Sequence, residues 1–500
     1  MNNLSAQTAY VGSTEITQVR KGDRLVLAPG GDKLWYDSNE IPSLDLRFAD
    51  RKDLVDAITG SNLINFTRAS SATYVDGDGL IKTATTNLLL QSEDFSTTWL
   101  GTAAVTTNTA DSPFGELSAD TLTYNSVGSN RYQNVTTASS TTYTFSVWMR
   151  ATTGTFELKL SRTNGVSWSG ATVSAPITLT TTWQRYSLTF TTGMSDTLSG
   201  LVIGNENLTA YTLPATGSIY IWGAQLEQSD TVSEYVKTTS MINSAPRFDH
   251  DPTTGESLGL LVEESRTNLL LQSEDFSTTW TTSNASILSN QTFAPNGTLT
   301  ADKLVEGTST DFKSVNQSFA FANSKSYNFS VYAKSAENSV IQLVFGGGGQ
   351  FATAVFDLSN GTFVETTSSS WTNVSGLIQG HENGWYRCVL VATSSASVTS
   401  TSVFIRNTDQ NDLGDGTSGI YVWGAQLEEG SFPTSYIPTE GSTVTRAADV
   451  AGISGDNFGV FRTNLLQYSE EFDQAAWSTG SLTITLNDTT APNGTLTADR

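Results

Sequence analysis

A chain of 500 residues is too long for one ordinary β-domain and implies two to four. Only 15% of those residues are charged and 37% are hydrophobic, so hydroxyls and amides of Ser, Thr, Asn and Gly carry the surface, a composition suited to half-buried pleated sheets. Acidic residues outnumber basic ones 49 to 26, and the net charge of −23 excludes nucleic acid and anionic bilayers as natural partners.

The chain opens on Met1-Asn2-Asn3-Leu4-Ser5, with neither a basic nor an apolar leader segment, and nowhere does it hold about 18 consecutive apolar residues. Neither signal-directed export nor a membrane span is expected. Residues 1–84 read as a small N-terminal β head. It begins with an amphipathic hairpin pattern at Tyr10-Val11-Gly12-Ser13-Thr14-Glu15-Ile16 and Arg24-Leu25-Val26-Leu27. Asp76-Gly77-Asp78-Gly79 has the look of a calcium-loop start but lacks the glutamate that such a loop needs, so a tight turn is expected there. No cofactor is expected; a structural calcium has no specific motif behind it.

A long-period repeat then dominates. Thr86-Asn87-Leu88-Leu89-Leu90-Gln91-Ser92-Glu93-Asp94-Phe95-Ser96-Thr97-Thr98-Trp99 recurs unchanged from Thr267 to Trp280, and a degenerate copy ends at Trp477. Ile219-Tyr220-Ile221-Trp222-Gly223-Ala224-Gln225-Leu226-Glu227 matches Ile420-Tyr421-Val422-Trp423-Gly424-Ala425-Gln426-Leu427-Glu428. The landmarks divide the chain into a module at 85–240, a connector at 241–265, a second module at 266–440, a connector at 441–461 and the start of a third module at 462–500. That third copy stops in mid-pattern, as it would in a fragment of a longer protein.

Inside a module the period is two. Tyr143, Phe145, Val147 and Met149 alternate with Thr144, Ser146, Trp148 and Arg150; Tyr327, Phe329, Val331 and Ala333 alternate with Asn328, Ser330, Tyr332 and Lys334. Further strands are expected at 156–160, 186–190 and 341–345, with turns at Asn360-Gly361 and Asn383-Gly384. The reading is all-β: tandem jelly-roll β-sandwich modules behind the small head, with helix confined to a turn near Ser92 to Phe95.

Candidate site residues follow from that alternation. A sugar face needs aromatic planes to stack on pyranose rings, with amides and charges for the hydroxyls. The outward set offers Trp148 and Arg150 in the first module, and Tyr332 and Lys334 in the second. Ten residues before each strand's first tyrosine stand Gln133, beside Tyr132, and Gln317. The competing reading packs these side chains against a neighbouring module or subunit. Trp222 and Trp423 share parity with Leu226 and Leu427 and read as core; Trp99, Trp280, Trp477, Trp183 and Trp385 read as strand anchors. Cys388, the one cysteine, cannot form an intrachain disulfide and reads as a buried small hydrophobe.

Catalytic constellations are weak, and no enzyme is expected. His250 and His381 are the two histidines and lie in different segments, so no zinc site or Ser-His-Asp triad can repeat per module. The adjacent acids Glu93-Asp94 and Glu274-Asp275 point apart on strand or helix and suit capping. Gly346 to Gly349 lacks the Lys-Ser/Thr of a phosphate cradle.

Several strings resemble the phage head-spike and tail-fibre family: Phe66-Thr67-Arg68-Ala69-Ser70-Ser71-Ala72-Thr73-Tyr74-Val75-Asp76, Pro246-Arg247-Phe248-Asp249-His250-Asp251-Pro252, Gly259-Leu260-Leu261-Val262-Glu263-Glu264 and Arg266-Thr267-Asn268-Leu269-Leu270-Leu271, together with the Trp423 to Glu428 motif. In that family the Ala-Thr-Tyr-Val-Asp segment runs on quickly into the Pro-Arg-Phe-Asp segment. Here a whole module separates them, as if duplicated into the connector. The modules are also similar, in pattern and length, to carbohydrate-binding jelly rolls appended to glycoside hydrolases. The resemblance implies a virion spike or fibre component, assembled in the host cytoplasm and released by lysis, that binds host-surface glycans and other virion proteins as a homotrimer. Two alternatives stand beside it: a structural spacer without ligand, and accessory modules of a glycan-degrading enzyme that continues past Arg500.

Overall fold

The computed structural model describes residues 45–165, 171–204, 216–347, 349–395, 402–407, 413–453 and 483–489, residue 472, and the backbone of four short strands between 10 and 27. The chain forms two compact units. The smaller gathers residues 1–46, 55–64 and 453–500. In it Tyr10–Val11 pairs with Thr14–Glu15 and Val19–Lys21 with Arg24–Leu27, two short hairpins in place of the expected single one. Most of the expected third module lies outside the described residues.

The larger unit, residues 47–54 and 65–452, holds two β-sandwiches. In the first, a five-stranded sheet runs in the order Ala104–Asp111, Leu117–Tyr124, Gly217–Glu227, Thr142–Ala151, Gln184–Thr191. The opposing sheet is built on Phe156–Thr163, Leu198–Gly204 and Asn130–Thr136. The second sandwich repeats the plan with two six-stranded sheets, one centred on Ser326–Ser335 and Gly419–Glu429, the other on Ser402–Asn407 and Val340–Gly347. Alternation places the cores as expected. Tyr143, Phe145, Val147 and Met149 are buried in the first, and Tyr327, Phe329, Val331 and Ala333 in the second.

The invariant opening motif is structural. The Asn87 amide donates to the carbonyls of Ala224 and Val236, and Asn268 does the same to Ala425 and Ile437. Ser92 and Ser273 share hydroxyl hydrogen bonds with Tyr235 and Tyr436 at 2.6 and 2.7 Å. The acids serve as turn caps: Asp94 and Asp275 each accept from the amide two residues on. Asp76 accepts from the amides of Asp78 and Leu80 across its tight turn. Cys388 is fully buried, and burial pushes its thiol pKa up.

Parity fails at one place. The strands carrying Trp222 and Trp423 are bulged, with register shifts opposite Ser146/Trp148 and Ser330/Tyr332. Gly223 and Gly424 sit at φ +65° and +64° within them. Ile219 and Ile221 face the core before the bulge, Ala224 and Leu226 after it. Trp222 and Trp423 therefore turn to the outer face and are buried there in separate clusters, not in the main core.

The segments around the inserted module form one body with the second sandwich. Hairpin Thr73–Val75/Ile81–Thr83 is tied to hairpin Arg247–His250/Ser257–Leu261: Val75 donates to the Asp249 carboxylate at 2.8 Å, and Arg247 to the Thr73 carbonyl at 2.7 Å. Where the insertion begins and ends, Thr86–Asn87 pairs with Asn243–Ser244. Among the described residues no helix is long and apolar enough to cross a membrane.

Candidate functional site: two outward faces

The expected sugar residues do not converge on one face. Gln133 and Gln317 point inward. Gln133 Oε1 accepts from the Leu90 amide at 2.7 Å and Nε2 donates to the Leu90 carbonyl and the Thr98 hydroxyl. Gln317 repeats the first two bonds with Leu271, at 2.8 and 2.9 Å. Both are buried and latch the opening loop. Their register opposite Leu201 and Val403 places them on the core side of the sheet, one residue out of phase with the surface.

Tyr332 is also sealed, 3% exposed, among His381, Trp423 and Tyr436, with the Arg387 guanidinium 5.5 Å from its ring centre. Burial raises its hydroxyl pKa. Lys334 lines a cavity of about 390 Å³ between the hairpin turn at Gly79-Leu80 and the second sandwich, with Phe293, Glu382 and Trp385. Trp148 and Arg150 lie half-buried on the outer face of the five-stranded sheet, the side of the sandwich opposite Tyr132. Arg150 is stacked near Trp183 and Tyr220, with centroid distances of 5.2 and 4.6 Å.

Tyr132 belongs to a different surface, the outer face of the opposing sheet. Its middle strand presents Gly200, Val202 and Gly204 outward, because Leu201 and Ile203 fill the core. A Cβ at Gly200 would clash with Thr163 Oγ1 and Asn134 Oδ1, so the glycine lets these side chains close over the floor of a narrow trough, where Val202 is only 4% exposed. Asn130, Tyr132 and Asn134 form one wall, Lys159, Ser161 and Thr163 the other. The Lys159 wall is buried, Tyr132 is half-buried and Asn134 is exposed. An amide–hydroxyl lining with one aromatic plane is chemistry suited to a polyhydroxylated ligand.

The second sandwich fills the same trough differently. Gln133 and Gln317 fix the correspondence, which sets Phe404 and Arg406 at the positions of Val202 and Gly204. Arg406 lies 3.9 Å from the Phe312 ring centre and 5.4 Å from that of Phe404, and donates to Gln342 at 3.0 Å. Burial lowers its pKa to about 10, so it stays cationic at neutral pH. Asn316 flanks Phe404 on the neighbouring strand. The sequence signal for Phe404 and Arg406 was their parity against Val403 and Ile405. Gly200 and Gly204, being absences of side chain, gave no such signal.

Among the described residues no group of three His, Cys, Asp or Glu could hold a metal ion. No curated protein matches the chain. Solved structures resemble it distantly. The N-terminal CBM22-1-CBM22-2 tandem domain from Paenibacillus barcinonensis Xyn10C aligns at 11% identity over 69% of this chain and 98% of its own, with a TM-score of 0.23. A structure described as "CBM4 structure and function" aligns at 16% over 28% and 94%, TM-score 0.21. The enzymatically active domain of bacteriophage CBA120 tailspike protein 4 aligns at 17% over 28% and 21%, TM-score 0.20. These likenesses are too distant to bear on ligand or role. Residues 94–204, however, match the family described as "Carbohydrate binding domain", a range that contains both walls and the floor of the Tyr132 trough. Over those residues the first sandwich is thus similar to carbohydrate-binding modules.

Proposed function

We propose that the protein is a bacteriophage virion spike or fibre component that binds host-surface polysaccharide through the outer troughs of its sandwiches. The observation that carries the reading is the carbohydrate-binding-domain match over 94–204, a range whose outer sheet face carries the half-buried Tyr132 and the exposed Asn134. Tyr132 supplies the stacking plane in the first sandwich; Phe404 does so in the second, with Arg406 and Gln342 as hydrogen-bonding groups. The virion role rests on the resemblance of the 66–76, 246–252 and 259–264 strings to phage head-spike and tail-fibre proteins. The chain binds without catalysing. Two weak sites per chain, multiplied in a homotrimer held among other virion proteins, gain avidity through effective concentration.

Full-length protein screened on host-derived polysaccharides tests the ligand. Saturable binding that Tyr132→Ala and Phe404→Ala each weaken is expected; binding to none of them leaves a spacer. Mass spectrometry of purified particles tests the virion assignment.

A further inference from the structure

The two sandwiches carry the same aromatic set on the outer face of the sheet opposite the trough, and only the second set lies beneath a hairpin. Register equates Trp148, Trp183 and Trp222 with Tyr332, Trp385 and Trp423. The indole hydrogen bonds agree: Trp183 donates to the Asp111 carbonyl and Trp385 to that of Phe293, both at 3.1 Å, and Trp222 and Trp423 reach the hydroxyls of Ser118 and Thr300.

In the second sandwich this face is closed by hairpin Thr73–Val75/Ile81–Thr83. Ile81 packs with Tyr332, Trp385, Trp423 and Tyr436, and its amide donates to the Pro295 carbonyl at 3.0 Å. In the first sandwich the turn Ser112-Pro113-Phe114-Gly115-Glu116 has the same hydrogen bonds as Ala294-Pro295-Asn296-Gly297-Thr298. Yet no described residue donates to the Pro113 carbonyl. Here Phe114 takes the hairpin's place, its ring centre 5.4 Å from Trp222 and 6.2 Å from Trp148, but it stands 68% exposed; Trp148, Trp183 and Tyr220 are half-buried, and the Trp148 indole N–H, though buried, has no hydrogen-bond partner.

We propose that this face of the first sandwich docks a β-hairpin of a partner protein, in the way the second sandwich holds residues 73–83. The occupant is defined by the covered copy: a branched aliphatic residue over the tryptophans, its amide on the Pro113 carbonyl, following an acidic glycine turn. Asp76 and Asp78 flank that turn here, and the turn borders the cavity lined by Lys334; Arg150 holds the Lys334 position and complements the same charge. Hairpin 73–83 is itself engaged with the second sandwich, so the occupant assigned here is its counterpart in another protein.

The probe is a backbone-cyclised peptide of residues 72–84, whose ends meet in the structure through Ala84 N to Ala72 O at 2.8 Å. Added to the full chain, it binds saturably at one site. Trp183→Ala weakens it about thirtyfold, as expected for a central aromatic anchor. Phe114→Ser, at an exposed position that cannot unfold the sheet, also weakens it, and a peptide carrying Ile81→Asp does not bind. Tyr132→Ala leaves peptide binding intact, which separates this face from the glycan trough. Absent binding, binding indifferent to Phe114→Ser and Trp183→Ala, displacement by polysaccharide, or a self-association of the chain lost in those two variants would each overturn the proposal.

Discussion

The guanidinium of Arg68 meets the carboxylate of Asp449 at 2.6 Å, both side chains fully buried and 381 positions apart in the chain. Arg247 takes the other Asp449 oxygen and also reaches Glu263 at 2.8 Å, while Arg446 lies 3.4 Å from Glu263. Three guanidiniums and two carboxylates thus bind four separated stretches of chain into one junction. Burial depresses the Arg68 pKa to about 10, with Asp449 opposing it. Removing one partner from such a cluster strands the others without water. Asp449→Ala should therefore lower unfolding stability by about 3–5 kcal/mol, read as a shift in the urea midpoint of the full chain.

The junction should also be sensitive to acid. Burial pushes the Glu263 carboxyl up, but Arg446, Arg247 and Ser435 outweigh it and hold the pKa below its ordinary 4.5. Its ionised form thus stabilises the fold fully above pH 4.5, and that contribution is lost as pH falls through the lower folded value. Burial and the nearby Arg387 depress His381 from 6.5 to about 4, so the unfolded chain takes the proton first and stability falls from pH 6.5 toward 4. Melting temperatures measured from pH 7 to 3 should decline in both ranges. His381→Gln should flatten the upper range only and Glu263→Gln the lower only.

The inward glutamines separate stability from binding. Gln133→Leu leaves the Leu90 amide and carbonyl without their side-chain partner and should cost about 1–3 kcal/mol. Glycan affinity, measured well below the melting temperature, should not change. A selective loss of affinity at unchanged stability would return Gln133 to the ligand.

The bulge glycines give a fourth test. Alanine at Gly223 or Gly424 meets a left-handed backbone, and its Cβ lies 3.2 Å from Trp148 or 3.0 Å from Tyr332. Each substitution should destabilise by about 1–2 kcal/mol from the backbone alone. Gly424→Ala should cost more, because Tyr332 is sealed beneath the hairpin and cannot yield. Thermal unfolding of the two variants checks the order.

Much of the architecture was legible because period-two alternation is a local property: Tyr143 to Met149 and Tyr327 to Ala333 face the cores that their spacing implied. What escaped was long-range or out of phase. A one-residue bulge moved Trp222 and Trp423 to the outside, and no pattern in Trp-Gly-Ala announces it. Tyr332 was outward by parity, as expected, but outward there means beneath a hairpin some 250 positions earlier in the chain. Arg68, Arg247 and Glu263 lie in strings that resemblance had singled out, Arg446 and Asp449 do not, and only the folded chain brings the five together.

At the insertion point, Thr86 and Ser244 share a hydroxyl hydrogen bond at 2.6 Å, and Ala245 donates to Thr85 at 2.8 Å. A body of about 160 residues thus enters and leaves the chain through a single gap, while the flanking segments close without it. The locus behaves as a socket. Any domain whose termini lie side by side could be plugged between Ala84 and Ala245, and a lineage could change what it recognises by exchanging that cartridge whole, with the arginine lock behind it untouched.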